Sequence, residues 1–346
     1  MNLTALLGID VPIIQAPMAG AQGSAMTITV SGAGGLGSLA CAALAPDAIR
    51  KELTAIRAAT SKPFSVNFFC HVPPVPDDQR EAAWRATLAP YFEEFGIDPR
   101  EIPAGPGRTP FSSDAADILA EFKPAVVSFH YGLPSPELLA LVKSWGSKVL
   151  SSATTVDEAR WLENHGADAI IAQGNEAGGH RGMFLTSDLT TQVGTFALLP
   201  QVVRAVRVPV IAAGGIADAD GVAAALSLGA AGVQAGTAYL LCPEATITAL
   251  HRAALKSPNA RHTALTNLFT GRPARSIVNR VIRELGPISP AAPAFPLATA
   301  AMAVLRSTCE SRGSDDFSSL WCGQNSLACK EVPAGERTRQ LAGIAT

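Results

Sequence analysis

Charged side chains are scarce in this chain, since Asp, Glu, Lys and Arg make up only 16% of its 346 residues. Disordered proteins are rich in charge and poor in apolar residues, whereas 48% of this sequence is hydrophobic, so that class is excluded. The 27 Lys and Arg residues nearly balance the 29 Asp and Glu residues, and no basic stripe is visible. The sequence therefore gives no support for nucleic-acid binding.

Long apolar runs and a secretion signal are also missing. No stretch approaches the roughly 18 apolar residues that cross a bilayer, and residues 1–10 show no signal-peptide pattern. The six cysteines are scattered and form no C-x-x-C pair, which favours reduced thiols over a disulfide framework or a zinc site. We therefore expect a cytoplasmic protein without a bound metal or a membrane partner, present as a monomer or homodimer.

Short apolar runs bounded by Gly or Pro alternate with longer stretches of helical pattern, which is typical of βαβ units around a parallel sheet. About eight such runs can be counted, which predicts a (β/α)8 or TIM barrel. Two helices are predicted at Thr155–His165 and Asp218–Leu228, each followed by a glycine. The predicted strands are Pro12–Met18, Gly35–Leu39, Pro63–Phe69, Ala125–His130, Lys148–Ser152, Asp168–Gln173, Pro209–Gly214 and Gly232–Gly236.

Two stretches interrupt this alternation. Residues His71–Phe111 carry prolines at both ends of a helical middle, which predicts an insertion after the third strand, where insertions often cover an active site. The chain after the eighth strand is longer than the one helix that the barrel still needs. We therefore predict a barrel formed by residues 1–242 and 316–346, with a small substrate-side domain at 243–315.

Glycines follow the seventh and eighth predicted strands, as Gly214-Gly215 and as Gly236. In a parallel barrel these C-terminal strand ends face the reaction site. An isolated glycine pair would indicate a turn. Two sets on adjacent strands, where barrels bind phosphate, instead predict a site in which backbone N–H groups contact phosphate oxygens. We therefore expect a cofactor that carries a phosphate.

Two histidines are candidates for catalysis, because an imidazole at this end of a barrel can act as a base or as a charge stabiliser. His180 lies among glycines after the sixth strand, beside Arg181, with which Glu176 is predicted to pair. His130 ends the fourth strand. Two alternatives stay open, namely a surface-loop role for His180 and a hydrogen-bonded core role for His130. The other four histidines have no comparable setting.

A set of short motifs occurs in a fixed order along the chain: Q-A-P-M-A-G, G-G-L-G, P-F-S-V-N-F-F, V-S-F-H-Y-G, Q-G-N-E-A-G-G-H-R-G, A-A-G-G-I and Q-A-G-T. This ordered set resembles the first class of the nitronate monooxygenases over about residues 11–244, and the resemblance continues at L-W-C-G-Q, residues 320–324. It implies an FMN enzyme that oxidises alkyl nitronates, typically propionate 3-nitronate, with O2. The products would be a carbonyl compound and nitrite.

The same resemblance implies roles for individual residues. His180 matches the catalytic histidine of the family, and His130 matches a second histidine of the active site. Relatives often present tyrosines to the substrate after the eighth strand, where this sequence has Phe295 and only Tyr239 nearby. The resemblance and the positions of residues at the C-terminal strand ends together predict the cofactor-binding residues. These are Ala16, Pro17, Met18, Asn67, Gln173, Gly178, Gly214, Gly215, Gln234, Ala235, Gly236, Thr237 and Gln324.

Other functions on the same scaffold stay open at this point. One is a flavin reductase that uses NAD(P)H, with a quinone or an enoyl thioester as its substrate. Another is a protein that binds a phosphate-bearing ligand without turnover. Fold alone does not decide between them. The partners expected for the oxygenase are a small nitronate or nitroalkane and O2.

Overall fold

The computed structural model describes residues 2–102 and 108–344, and its centre is a barrel of parallel strands. In chain order the strands are β1 (Ile13–Gln15), β2 (Gly37–Ala40), β3 (Phe64–Phe69), β4 (Val126–His130), β5 (Lys148–Ala153), β6 (Ala169–Gln173), β7 (Gly179–His180), β8 (Val210–Ala213), β9 (Gly232–Ala235), β10 (Thr263–Thr266) and β11 (Ala274–Ile277). Eight of them form one parallel sheet in the order β1-β9-β8-β6-β5-β4-β3-β2. A parallel bridge between Ile14 and Leu36 joins the two ends of this order. The predicted TIM barrel is therefore confirmed, in nearly closed form.

The first strand is shorter than its predicted range. It ends at Gln15, because only one further ladder bond follows, from the Ala16 N–H to the Ala235 carbonyl at 2.8 Å, and Pro17 has no N–H to donate. Ala16, Pro17 and Met18 therefore lie beyond the strand, in a connection across the open end of the barrel. The seventh and eighth predicted strands correspond to β8 and β9.

Helices surround the barrel as the alternating pattern predicts. The Thr155 and Asp218 side chains cap α7 and α9, the helices predicted at Thr155–His165 and Asp218–Leu228. No helix in the described part of the chain is long and apolar enough to span a bilayer. The helices are α1 (Leu3–Leu7), α2 (Ser24–Gly32), α3 (Pro46–Ala59), α4 (Asp78–Phe95), α5 (Ser113–Phe122), α6 (Pro136–Ser144), α7 (Val156–Asn164), α8 (Thr195–Ala205), α9 (Ala219–Ser227), α10 (Ala249–Lys256), α11 (Arg280–Leu285), α12 (Thr299–Ser311) and α13 (Ala334–Leu341).

The N-terminal end of the barrel is closed by α1. Leu3 and Leu7 are buried in one cluster with strand residues that include Ile14, Val126 and Ile211. Burying a leucine side chain stabilises the fold by about 1.5–3 kcal/mol, so these two leucines hold α1 against the end of the barrel. A ligand can therefore enter the barrel only from the opposite end, where the strands have their C-termini.

A second unit packs beside this open end. It contains α11 and α12 and an antiparallel sheet in which β11 pairs with both β10 and β7. The helical middle of the predicted insertion is α4, whose Trp84 and Leu88 share one hydrophobic cluster with Leu305 and Phe317. Pro103 and Pro106 of that insertion lie outside the described residues. The boundaries 1–242, 243–315 and 316–346 stay a prediction, and the packing favours grouping α4 with the small unit.

Candidate functional site

A cavity of about 510 Å³ opens at the C-terminal ends of the barrel strands. This volume falls within the range of enzyme ligand sites, roughly 300–1,000 Å³. Among the predicted site residues, Gln324 does not line it. Those that do are Ala16, Pro17, Met18, Asn67, His130, Gln173, Gly178, His180, Gly214, Gly215, Gln234, Ala235, Gly236 and Thr237.

One side of the cavity, here called the glycine wall, consists of Gly214, Gly215, Gly236 and Thr237. Gly214 and Gly215 have φ of 118° and 72°, a region that favours glycine. A Cβ on Gly214 would lie only 2.9 Å from Thr195 Oγ1, so no side chain fits there. Gly236 begins a 3-10 turn without a side-chain cap, so the first N–H groups of that turn remain available. The glycine wall thus has the backbone donors and the close approach that phosphate oxygens require.

The C-terminal segment ties the two loops of the glycine wall together. The Gly323 N–H donates to Thr237 Oγ1 at 2.9 Å, which leaves the hydroxyl proton of Thr237 available for a ligand. Asn325 Nδ2 donates to the Gly215 carbonyl at 2.9 Å. Gly323 and Asn325 both line the cavity, and the sequence analysis missed them because their partners lie about 100 residues away.

Gln324, between these two residues, points elsewhere. Its N–H donates to the Glu176 carbonyl at 2.9 Å, but its side chain is exposed and lines a separate cavity of about 320 Å³. The Glu176 carboxylate accepts hydrogen bonds from Thr195, so the predicted pair with Arg181 is wrong. Arg181 is instead fully buried and donates to Gln192 and to the backbone carbonyls of Gln173 and Gly174 at the end of β6, which keeps its guanidinium away from Glu176.

His180 is held on a strand rather than on a free loop. It forms β7 with Gly179, and His180 pairs with Ala274 of β11. On the same side of that sheet, the Thr270 hydroxyl lies 3.0 Å from His180 Nε2. Thr270 is buried in the connection between β10 and β11. The small unit therefore fixes both the backbone and the ring of the candidate catalytic histidine, a pairing that no local sequence signal predicts.

The backbone carbonyl of His180 accepts two further hydrogen bonds. Gln173 Nε2 donates to it at 3.0 Å, and His130 Nε2 lies 3.2 Å from it. Because a carbonyl only accepts, this geometry assigns the proton of His130 to Nε2, and Nδ1 then accepts from Ser152 Oγ at 3.1 Å. His130 is thereby engaged at both ring nitrogens. Its catalytic role stays a prediction, and its contacts are those of a residue that positions His180.

Burial keeps both histidines neutral near pH 7. Burial and then the charge of Arg272 lower the pKa of His130 to about 3. Burial and then the charge of Arg108 lower the pKa of His180 well below its ordinary value. A neutral imidazole can accept a proton from a ligand. The site therefore favours a role for His180 as a general base over a role as a permanently charged imidazolium.

An aromatic cluster beside His180, here called the aromatic wall, is formed by Phe69, Tyr131, Phe295 and Trp321, of which Phe69 and Trp321 line the cavity. The ring centroids of Phe69, Phe295 and Trp321 lie 6.1, 5.5 and 5.3 Å from that of His180. Tyr131 adopts a φ of 71°, which is strained for an aromatic residue. Its buried hydroxyl has no hydrogen-bond partner among the residues that the structure describes. This wall combines parts of the barrel, the small unit and the C-terminal segment.

Several residues near the aromatic wall received no role from the sequence. Arg272 stacks 3.8 Å above the Tyr131 ring, and His71 lies 4.9 Å from the ring centroid of Phe295. His251 is buried and lines the cavity. Tyr239 lies outside it, since its hydroxyl is buried against Thr338 at 2.9 Å. None of these placements follows from local spacing.

Comparisons with known proteins cover almost the whole chain. A family model described as nitronate monooxygenase matches residues 1–342. The nitronate monooxygenase of Paraburkholderia phytofirmans is 44% identical, with 98% of this chain and 93% of that protein covered. That of Pseudomonas aeruginosa is 43% identical, with 98% and 97% covered. The solved structure of a nitroalkane oxidase from Streptomyces ansochromogenes has a TM-score of 0.91 and 38% identity, with 99% of this chain and 96% of that chain covered.

Proposed function

Because the chain belongs to the nitronate monooxygenase family, we propose that it is an FMN-dependent enzyme that oxidises alkyl nitronates with O2. The products are a carbonyl compound and nitrite, and propionate 3-nitronate is the typical substrate. The observation that carries the proposal is the neutral His180 imidazole, which lines the same cavity as the glycine wall. Cytoplasmic location and a monomeric or homodimeric state stay predictions.

The donors of the cavity suit FMN. Gly215, Gly236 and Thr237 would hold the phosphate, because they offer backbone N–H groups and one hydroxyl proton. Asn67 Nδ2 donates to Ser128, which leaves the side-chain oxygen Oδ1 of Asn67 to accept from an N–H of the flavin ring. Gln173 is held at both ends of its amide by the segment around His180, so it also fixes that segment. When bound, the flavin supplies an electron acceptor that O2 can reoxidise.

His180 would have a different role for each form of the substrate, the neutral nitroalkane and the nitronate anion. A neutral nitroalkane must first lose its α-proton, and a neutral imidazole in the cavity can accept that proton. A nitronate arrives without the proton, so its oxidation depends less on a base. The anion would raise the pKa of His180, which offsets part of the lowering by burial. The rings of Phe69, Phe295 and Trp321 lie beside the His180 imidazole and would shield it from water.

The visible spectrum of the purified protein tests the cofactor directly. The absorbance of oxidised flavin is expected, and acid release followed by chromatography should identify FMN. A protein that purifies colourless and does not become yellow with added FMN would contradict the proposal.

Anaerobic mixing tests the reaction. Propionate 3-nitronate should bleach the flavin, and NADH alone should not. Readmitted air should restore the colour, with nitrite measured colorimetrically. Bleaching by NADH alone would support the reductase alternative, a quinone or enoyl-thioester reductase on the same barrel.

A further inference from the structure

Two arginines line the cavity near the aromatic wall without a carboxylate partner. Arg108 and Arg306, the latter exposed on α12, both contribute to the cavity surface. Neither guanidinium forms an ion pair with any carboxylate among the side chains that the structure describes. Burial and the charge of Arg306 both lower the pKa of Arg108. Two like charges near each other at one end of a cavity make a bound anion favourable.

Arg108 and His180 lie beside the same two rings. The guanidinium carbon of Arg108 is 5.7 Å from the ring centroid of Phe69 and 5.9 Å from that of Phe295. The corresponding distances for the His180 ring are 6.1 and 5.5 Å. Arg108 is also the charged group with the largest effect on the pKa of His180. A small ligand can therefore reach both side chains at once.

The carboxylate nearest in sequence to Arg306 is that of Glu310, which accepts a hydrogen bond from a neutral side chain. Glu310 lies one turn after Arg306 on α12 and also lines the cavity. Its Oε1 accepts a hydrogen bond from Ser318 Oγ at 2.7 Å, and it forms no ion pair with Arg306 among the described residues. The buried Tyr131 hydroxyl has no partner in the described part of the chain and lies within the electrostatic reach of Arg108. Among the described side chains, neither Arg108 nor Arg306 is engaged by a carboxylate, so their N–H groups remain available to an anionic ligand.

We propose that Arg108 and Arg306 form a second anion-binding subsite, which selects nitronates that carry a carboxylate at the end away from the reacting carbon. The inference rests on the proposed function, since it assumes that the reacting end lies at His180. A guanidinium binds a carboxylate through two parallel N–H donors, which gives orientation as well as affinity. Arg108 is the inner and principal residue, and Arg306 contributes from the rim.

The experiment compares two nitronates of matched shape on the flavin-loaded enzyme. Propionate 3-nitronate carries the carboxylate, and 3-methylbutyl nitronate has an isopropyl group of similar size in its place. R108A should lower kcat/KM about 10- to 100-fold for the first compound, mainly through KM, because a charge-assisted hydrogen-bond pair is lost. The second compound should change less than about threefold, which leaves the chemistry at His180 intact.

Further variants separate charge from folding and from general surface effects. R108K keeps the charge without the two-pronged geometry and should lose less than R108A for propionate 3-nitronate. R306A should lose less than R108A for the same substrate, and R312A, directly after α12, is the matched control, since Arg312 contacts Phe95 outside the cavity. Succinate, which has the same spacing of anionic groups, should inhibit the wild type competitively and R108A more weakly.

Two results would overturn the subsite. One is an equal loss for both nitronates in R108A and R108K, which would place Arg108 at the reacting group. The other is an unchanged preference between the two nitronates in every variant. Failure of the proposed function looks different, because the wild-type flavin would then be bleached by neither nitronate.

Discussion

The glycine wall and the aromatic wall both contribute residues to the same cavity but differ in how the chain builds them. Gly214, Gly215, Gly236 and Thr237 follow two adjacent barrel strands, so their place depends on local strand–loop–helix units. Phe69, Tyr131, Phe295 and Trp321 come from four distant segments, including the small unit and the C-terminal segment. Motifs therefore predict the glycine wall better than the aromatic wall.

His180 connects the two walls, and its replacement should have the largest effect. H180N should lower turnover of neutral nitroalkanes by about 10²- to 10⁴-fold, because the base is lost, while turnover of preformed nitronates falls less. Steady-state kinetics on both forms, with flavin content measured in each preparation, checks this. His165, exposed and stacked on Trp161, offers the control H165N. Equal turnover of nitroalkanes by H180N and wild type would show that His180 is not the general base.

A side chain at Gly236 tests the glycine wall alone. A Cβ there would meet Ala16 at 3.4 Å and the Met18 sulfur at 3.7 Å, so G236A should fit and retain flavin. The two further methyl groups of G236V enter the space proposed for the phosphate, and flavin affinity should fall at least about 100-fold. Absorbance after purification and titration with FMN measure this. A yellow G236V protein would show that the phosphate lies elsewhere.

Acid should destabilise the folded state through His251, a buried histidine that lines the cavity. Burial lowers the pKa of His251 to about 4, and the unfolded chain has the ordinary value of 6.5. The unfolded state therefore binds more protons, and stability present above pH 6.5 is lost as the pH falls toward 4. At pH 5 the loss is about 2 kcal/mol for this histidine, from about 1.36 kcal/mol per pKa unit.

Chemical denaturation between pH 7.5 and 5 checks this expectation. H251Q should show a shallower fall in unfolding free energy than wild type. His262 is exposed, so H262Q should keep the wild-type slope. A wild-type slope in H251Q would mean that His251 is not buried as a neutral ring.

The Thr270 hydroxyl should give the smallest effect, because it orients His180 without touching the substrate. Loss of its contact at 3.0 Å in T270V should lower kcat for nitroalkanes about 3- to 10-fold and shift the acid limb of the pH–rate profile. T270S keeps the hydroxyl and should restore both. Identical pH profiles for T270V and wild type would limit Thr270 to packing.

The sequence predicted the barrel well because each strand and helix carries its own pattern. The caps at Thr155 and Asp218 and the glycines after β8 and β9 are local signals, and the structure places them where their spacing indicates. Gln324 shows the limit of such signals. Gly323 and Asn325, rather than Gln324, line the cavity, since the path of this segment depends on contacts with Thr237 and Gly215.

The sequence by itself determined a nearly closed barrel, a glycine wall at its C-terminal end and a histidine after β6, because periodicity, capping and glycine conformation act within a few residues. Only the tertiary structure decided that His180 is a strand residue fixed by Thr270, that burial keeps it neutral, and that Arg108 joins it beside Phe69 and Phe295. Burial and electrostatic interactions are properties of neighbours in space, which lie about 70 to 115 residues from His180 along the chain.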